Sequence, residues 1–155
     1  MYEIDHKLLD HFYNPKNVGI IENADGHGNV KNPVCGDLTD IYIKVEKGRI
    51  KDIKFKSFGC HVTIASASAL TEAVKGKTLD EIIMSKEPVE MLMKTIKREF
   101  RDLSKEKMHC PPASVQALLT AIADYYKQKC NIDKVKKIKK ALEVINYYYY
   151  IGEKK

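Results

Sequence analysis

Apolar positions recur along this chain with two different periods, and the switch between them divides it. Ile4, Leu8 and Phe12 are spaced by four, which predicts a short amphipathic helix. Asn14-Pro15 stops it, because proline cannot continue the hydrogen-bond ladder and its neighbour avoids helical angles. The Gly/Asn/Asp-rich stretch from Asn23 to Asn32 reads as a loop with room for a short irregular edge strand. Ile41, Ile43 and Val45 then alternate with Asp40, Tyr42, Lys44 and Glu46, the period of a half-buried strand. Gly48 turns the chain, and Ile53 and Phe55 alternate with Asp52, Lys54 and Lys56. Together these residues predict a β-hairpin with one apolar and one charged face.

From His61 onward the period is helical. Residues 61–75 are rich in Ala and Ser, so this helix can approach its neighbours closely, and Gly76 ends it. Thr78-Leu79-Asp80-Glu81 has the spacing of a capping box. Pro88 opens a helix with Leu92, Ile96, Phe100 and Leu103 on one face. Pro111-Pro112 opens another, with Val115, Leu118, Leu119, Ile122 and Tyr126 on one side. Val135, Ile138, Leu142 and Ile145 describe a basic amphipathic C-terminal helix. Strands early and helices late predict an α+β fold, with helices packed on one face of a small antiparallel sheet. The expected organisation is one main domain over residues 1–130 and a helical extension over 131–155 with a Tyr-rich end.

Composition narrows the class. At 155 residues the chain can bury its own core, and 44% hydrophobic with 31% charged residues is a globular balance. The first ten residues mix acids with apolar residues, so they predict neither a secretory signal nor a spanning helix. The expectation is a cytoplasmic protein, not a membrane protein, in a reducing compartment where thiols stay free. Of the net charge of +6, residues 131–155 carry +4, seven lysines against Asp133, Glu143 and Glu153. Lys134, Lys136, Lys137, Lys139 and Lys140 read as a solvated helix face. No recognition motif accompanies them, so nucleic acid is not an expected partner. Tyr147 to Tyr150 read as packing residues, against the body or another subunit of a homo-oligomer.

Three of the four cysteines fall at predicted element ends. Cys35 lies in the turn-rich Asn32-Pro33-Val34-Cys35-Gly36-Asp37, just before the first clear strand. Cys60 follows Phe58-Gly59 and directly precedes the Ala/Ser-rich helix, and Cys110 directly precedes Pro111. A cysteine at a helix start faces unpaired amides and the positive end of the dipole, which favours the thiolate that attacks sulfur and binds metal. Gly36 and Gly59 remove bulk beside two of the thiols. Asp37 adds a hard oxygen to a soft sulfur set, which should make a bound iron–sulfur cluster easier to release. His109 offers an alternative ligand or a proton. Cys130 lies outside every motif and reads as structural, while His6, His11 and His27 read as surface residues without partners. Purely structural zinc fits the donor types. Its usual close cysteine pairs are missing, however, since the thiols here arrive singly, 25 and 50 residues apart.

Four strings in order resemble a known family. Asn14-Pro15-Lys16-Asn17-Val18-Gly19, Pro33-Val34-Cys35-Gly36-Asp37, Lys54-Phe55-Lys56-Ser57-Phe58-Gly59-Cys60 with Ile64-Ala65-Ser66, and His109-Cys110 are similar to the IscU/NifU N-terminal family of iron–sulfur scaffolds. The likeness runs from about residue 2 to residue 129. It implies a three-stranded sheet with helices on one face and the cysteine loops gathered at one end. It also implies that a PLP-dependent cysteine desulfurase passes sulfur to a scaffold cysteine, with Cys110 the expected persulfide acceptor. Iron then joins, a [2Fe-2S] cluster forms, and carrier or apo-proteins take it away; a [4Fe-4S] cluster could arise between two subunits. Cys35, Asp37, Cys60 and Cys110 are the implied ligands, Asp37 setting lability and His109 an alternative ligand. On this reading the protein is a scaffold, not a metabolic enzyme.

Three positions depart from the family pattern. His61 follows Cys60 where the family has glycine, placing an extra ligand or base at the site. Leu103-Ser104-Lys105-Glu106-Lys107 stands where relatives carry a Leu-Pro-Pro-Val-Lys chaperone motif, which bears on release assisted by an Hsp70-type chaperone. Pro111-Pro112 directly after the cysteine is unusual. The competing reading is a zinc-bound sulfurtransferase of the SufU type that relays persulfide sulfur. His109 favours the scaffold, because the zinc-using relatives generally lack that histidine. Zn²⁺ is an expected occupant of the same ligands in purified protein.

Overall fold

The computed structural model describes residues 6–100, 103 and 105–150; Ile4 and the end of the extension past Tyr150 lie outside them. Along the chain come α1 (His6–Tyr13), β1 (Gly26–Lys31), β2 (Leu38–Glu46), β3 (Arg49–Phe58), α2 (His61–Val74) and α3 (Leu79–Ile83). Next are α4 (Pro88–Glu99), α5 (Pro111–Gln128), α6 (Ile132–Ala141) and α7 (Ile145–Tyr150). The strands pair antiparallel in the order β1-β2-β3. Val30, Ile41, Ile43, Ile53 and Phe55 are buried beneath the helices on one face, so the expected α+β layering is what forms. Among the described residues no helix is long and apolar enough to cross a membrane.

The edge strand is more regular than its composition predicts. Gly26, Gly28 and Val30 are buried while His27, Asn29 and Lys31 face out, so the period of two is complete. A Cβ on Gly26 or Gly28 would run into the carbonyl of Ala121 or Ala117. The glycines therefore let β1 lie directly against the backbone of α5. The β2–β3 turn uses Lys47 and Gly48, both at positive φ (52° and 74°), which matches the right-handed twist of a tight hairpin.

Hydroxyls tie the N-terminal segment to α2. Ser68 Oγ accepts from the Lys16 amide at 2.8 Å and meets His11 Nδ1 at 2.7 Å, and Asn17 Nδ2 donates to Thr71 Oγ1 at 3.1 Å. His11 is thus a packed, bonded residue, with Glu99 at 3.5 Å from its other nitrogen. His27 also has partners, bonding Asp40 at 2.7 Å and stacking on Tyr42. His11 corrects its reading as a surface residue, while His27 is on the surface as expected and finds its partners there. The capping box at Thr78 and Glu81 forms as expected. α4 stops at Glu99, and Phe100 takes extended angles that still bury its ring.

The C-terminal extension is two helices, not one. Cys130 turns the chain at a left-handed φ of 57°, and Asn131 caps α6 by accepting from the Lys134 amide at 3.2 Å. A 3₁₀ turn at Leu142–Val144 separates α6 from α7. Val135, Ile138, Ile145 and Tyr149 join the common core. Tyr149 donates its phenol hydrogen to Gln116 Oε1 at 2.6 Å and lies within electrostatic reach of Cys35. The extension has returned along α5 toward the cysteine loops.

Candidate metal centre

The site is assembled where three loops meet. The first loop connects β1 to β2 and carries Cys35 and Asp37. Its foot is Asn32, only 1% exposed, whose Oδ1 accepts from the amides of Val34 at 2.9 Å and Cys35 at 3.4 Å. The Asn32 amide nitrogen donates to the His109 carbonyl at 2.8 Å. One buried side chain therefore shapes the Cys35 loop and ties it to the turn that precedes Cys110. Asn32 was absent from the candidate residues, although asparagine before proline at the head of a turn is the signal for such an Asx bond.

The second loop ends β3 and starts α2. Asp37 Oδ2 accepts from the Cys60 amide at 3.2 Å and from the Thr63 hydroxyl at 2.8 Å, so it caps α2 from outside the helix. A Cβ on Gly59 would overlap that carboxylate, which is why glycine precedes Cys60. The third loop delivers Cys110 to the start of α5, where it is 1% exposed. Its sulfur lies 3.5 Å from that of Cys60.

The two helix-start cysteines are not equivalent. The contact with Cys110, together with the first amides of α2 at Val62 and Thr63, holds Cys60 down at about 4, against the cost of its partial burial. Cys110 is pushed far up, first because it gives its hydrogen to Cys60 and then because it is buried. The pair thus shares one proton, with the charge on the more exposed sulfur. The expectation that both helix starts favour a thiolate fails at Cys110. It takes helical angles itself, and its side chain caps no amide. Cys35 is exposed, and its thiol is raised by partial burial, with the Asp37 charge adding to the effect.

Cys35, Asp37, Cys60, Cys110 and His109 are thus brought to one end of the sheet. Cys60 and Cys110 touch, and Asp37 sits on the Cys60 loop. Among the described residues, no three ligating side chains are yet close enough to share one metal ion. His109 is half-buried beside Cys110. His61 is exposed and packs edge-on to Phe12 of α1, and Cys130 is exposed far along the chain at the end of α5. Thr63 was also missed, though it stands three residues past the helix-start cysteine.

A small α+β domain that presents three thiols and one carboxylate at its loop ends offers a donor set whose chemistry suits iron, zinc and sulfur. The chain belongs to the NifU-like N terminal domain family, whose model matches residues 3–132. It is 48% identical over 132 residues to a protein of Archaeoglobus fulgidus named iron-sulfur cluster assembly scaffold protein IscU 1, covering 85% of this chain and 82% of that one. It is 40% identical to the IscU scaffold of Aquifex aeolicus, covering 88% and 85%. With the IscU scaffold of Escherichia coli K12 the identity is 42%, over 77% and 91%. A crystal structure of a scaffold protein for the SUF system from Fervidobacterium islandicum shares the fold, with a TM-score of 0.61 at 22% identity over 77% of this chain and 96% of that one.

Proposed function

We propose that this protein is an iron–sulfur cluster assembly scaffold, which collects iron and sulfur on Cys35, Asp37, Cys60 and Cys110 and passes the finished cluster on. The observation that carries this reading is the donor set itself: two touching sulfurs, a third on a loop tied to them through Asn32, and a carboxylate held at 3.2 Å from the Cys60 amide. Three soft donors suit iron and sulfide, and one hard donor keeps the site from being a permanent home for either.

Sulfur arrives as a persulfide on a PLP-dependent cysteine desulfurase. Cys110 first passes its proton to Cys60 over their contact, then attacks the terminal sulfur as a thiolate, and the desulfurase thiolate leaves. This transfer exchanges no electrons with a third party; turning the bound persulfide sulfur into the cluster's sulfide takes two electrons per sulfur, supplied by a reductant of the thiol or ferredoxin class. Cys35 completes the sulfur set when iron enters, and His109 stands beside Cys110 as an alternative ligand. The cargo is a [2Fe-2S] cluster, taken up by apo-acceptor or carrier proteins; two subunits could join their clusters as [4Fe-4S]. The protein acts as a transient persulfide acceptor, not as a metabolic enzyme, in the cytoplasm. Residues 1–130 are the scaffold domain and 131–155 the extension, whose described part, through Tyr150, packs against α5.

Anaerobic incubation with ferrous iron, cysteine, a cysteine desulfurase and dithiothreitol, which reduces the persulfide sulfur to sulfide, tests the assembly step. A visible spectrum of a [2Fe-2S] cluster in the wild type, lost in Cys35→Ala, Cys60→Ala and Cys110→Ala, is expected. Tightly held zinc that iron does not displace, with persulfide accumulating on Cys110, would instead make the protein a sulfur relay.

A further inference from the structure

Asp37 is held in place by a side chain outside the ligand set. The Thr63 hydroxyl lies 2.8 Å from Asp37 Oδ2 and 3.5 Å from Cys60 Sγ, and Thr63 is 2% exposed. A carboxylate is an acceptor only, so the hydroxyl hydrogen points at Asp37. The other hold on Oδ2 is the Cys60 amide at 3.2 Å. Without the hydroxyl, one longer bond would be left to fix a carboxylate that must meet a metal at a set angle.

We propose that Thr63 is a positioning residue of the metal site: its hydroxyl pins Oδ2 of Asp37 to the start of α2 and leaves Oδ1 for the metal. This rests on the scaffold reading and adds a residue to it. Partners of this kind orient a ligand without touching the metal, and losing one typically costs 10–100-fold in metal affinity. The neighbouring sulfur belongs to the same arrangement. Thr63 contacts both Asp37 Oδ2 and Cys60 Sγ, so it couples the angle of the oxygen ligand to the position of a sulfur ligand.

The experiment titrates Co²⁺ into the reduced, metal-free full chain and follows the thiolate charge-transfer and d–d bands. Thr63→Val keeps the side chain's shape and removes the hydroxyl. It is expected to weaken Co²⁺ about 10-fold and to shift the d–d bands, while Thr63→Ser restores both. Thr63→Ala, which also lacks the hydroxyl, should show the same loss. In an Asp37→Ala background, Thr63→Val should cost nothing further, because the hydroxyl acts through that carboxylate. Wild-type affinity and bands in Thr63→Val would overturn the proposal, as would an equal loss in the Asp37→Ala background. Denaturant midpoints of the metal-free variants separate a folding defect from a site defect. A wild-type protein that gave no thiolate–Co²⁺ bands would count against the scaffold reading itself, not against Thr63 alone.

Discussion

Cys60 Sγ and Cys110 Sγ lie 3.5 Å apart, and that contact makes two thiols of opposite acidity from one pair. Cys60, at the mouth of α2, carries the charge from about 4 upward, while buried Cys110 keeps its proton. In the metal-free protein, iodoacetamide should therefore label Cys60 well before Cys110 in mildly acidic solution, read by peptide mass spectrometry. Stability follows the same proton. Between the folded value of Cys60 and the ordinary thiol range near about 8.5, the unfolded chain binds more protons than the folded one, so stability rises with pH. Above that range Cys110 holds its proton only when folded, and stability falls. The stability difference between wild type and Cys60→Ser should accordingly widen from about pH 5 to about pH 8. A difference that stays flat would contradict the shared proton.

Asn32 is the strut between two of the cysteine loops, through its bonds to Val34, Cys35 and the His109 carbonyl. Asn32→Ala leaves these part-buried backbone groups without their side-chain partner. It should cost roughly 1–3 kcal/mol of stability in urea unfolding of the metal-free protein. The Cys35 thiol should also become more reactive, because its loop is no longer shaped. Unchanged stability would mean the loop is held by other contacts.

Tyr149 anchors the extension to α5. Tyr149→Phe removes the bond to Gln116 and keeps the ring, so about 1 kcal/mol should be lost. Tyr149→Ala empties a fully buried site and should cost roughly 3–5 kcal/mol. Equal effects of the two substitutions in denaturant unfolding would show that the ring's packing contributes little.

The hairpin, the helix starts and the capping box were legible because apolar spacing and caps act locally. β1 was only half legible: its inward positions are Gly26 and Gly28, which carry the strand's period but no hydrophobicity. The break at Leu142–Val144 was not, since Ile138, Leu142 and Ile145 keep helical spacing across it. At the site, Cys35, Asp37, Cys60 and Cys110 could be named from their strings. The opposite acidity of Cys60 and Cys110 could not, because it depends on a contact between residues 50 positions apart. Thr63 and Asn32 act by side-chain bonds across loops, and no periodicity records those.

Asp37→Ala removes the hard oxygen from the ligand set and is the direct test of lability. The reconstituted cluster should persist longer and transfer more slowly than in the wild type, followed by the decay of its visible absorption. Faster loss would contradict the role given to Asp37.

The central claim is that the cluster is cargo. Wild-type protein loaded anaerobically with a cluster should be mixed with an apo-ferredoxin, and the ferredoxin's own spectral signature followed with time. The account predicts that the cluster moves to the ferredoxin, and moves more slowly from Asp37→Ala. A cluster that stays on the wild-type protein while apo-ferredoxin remains empty would contradict it.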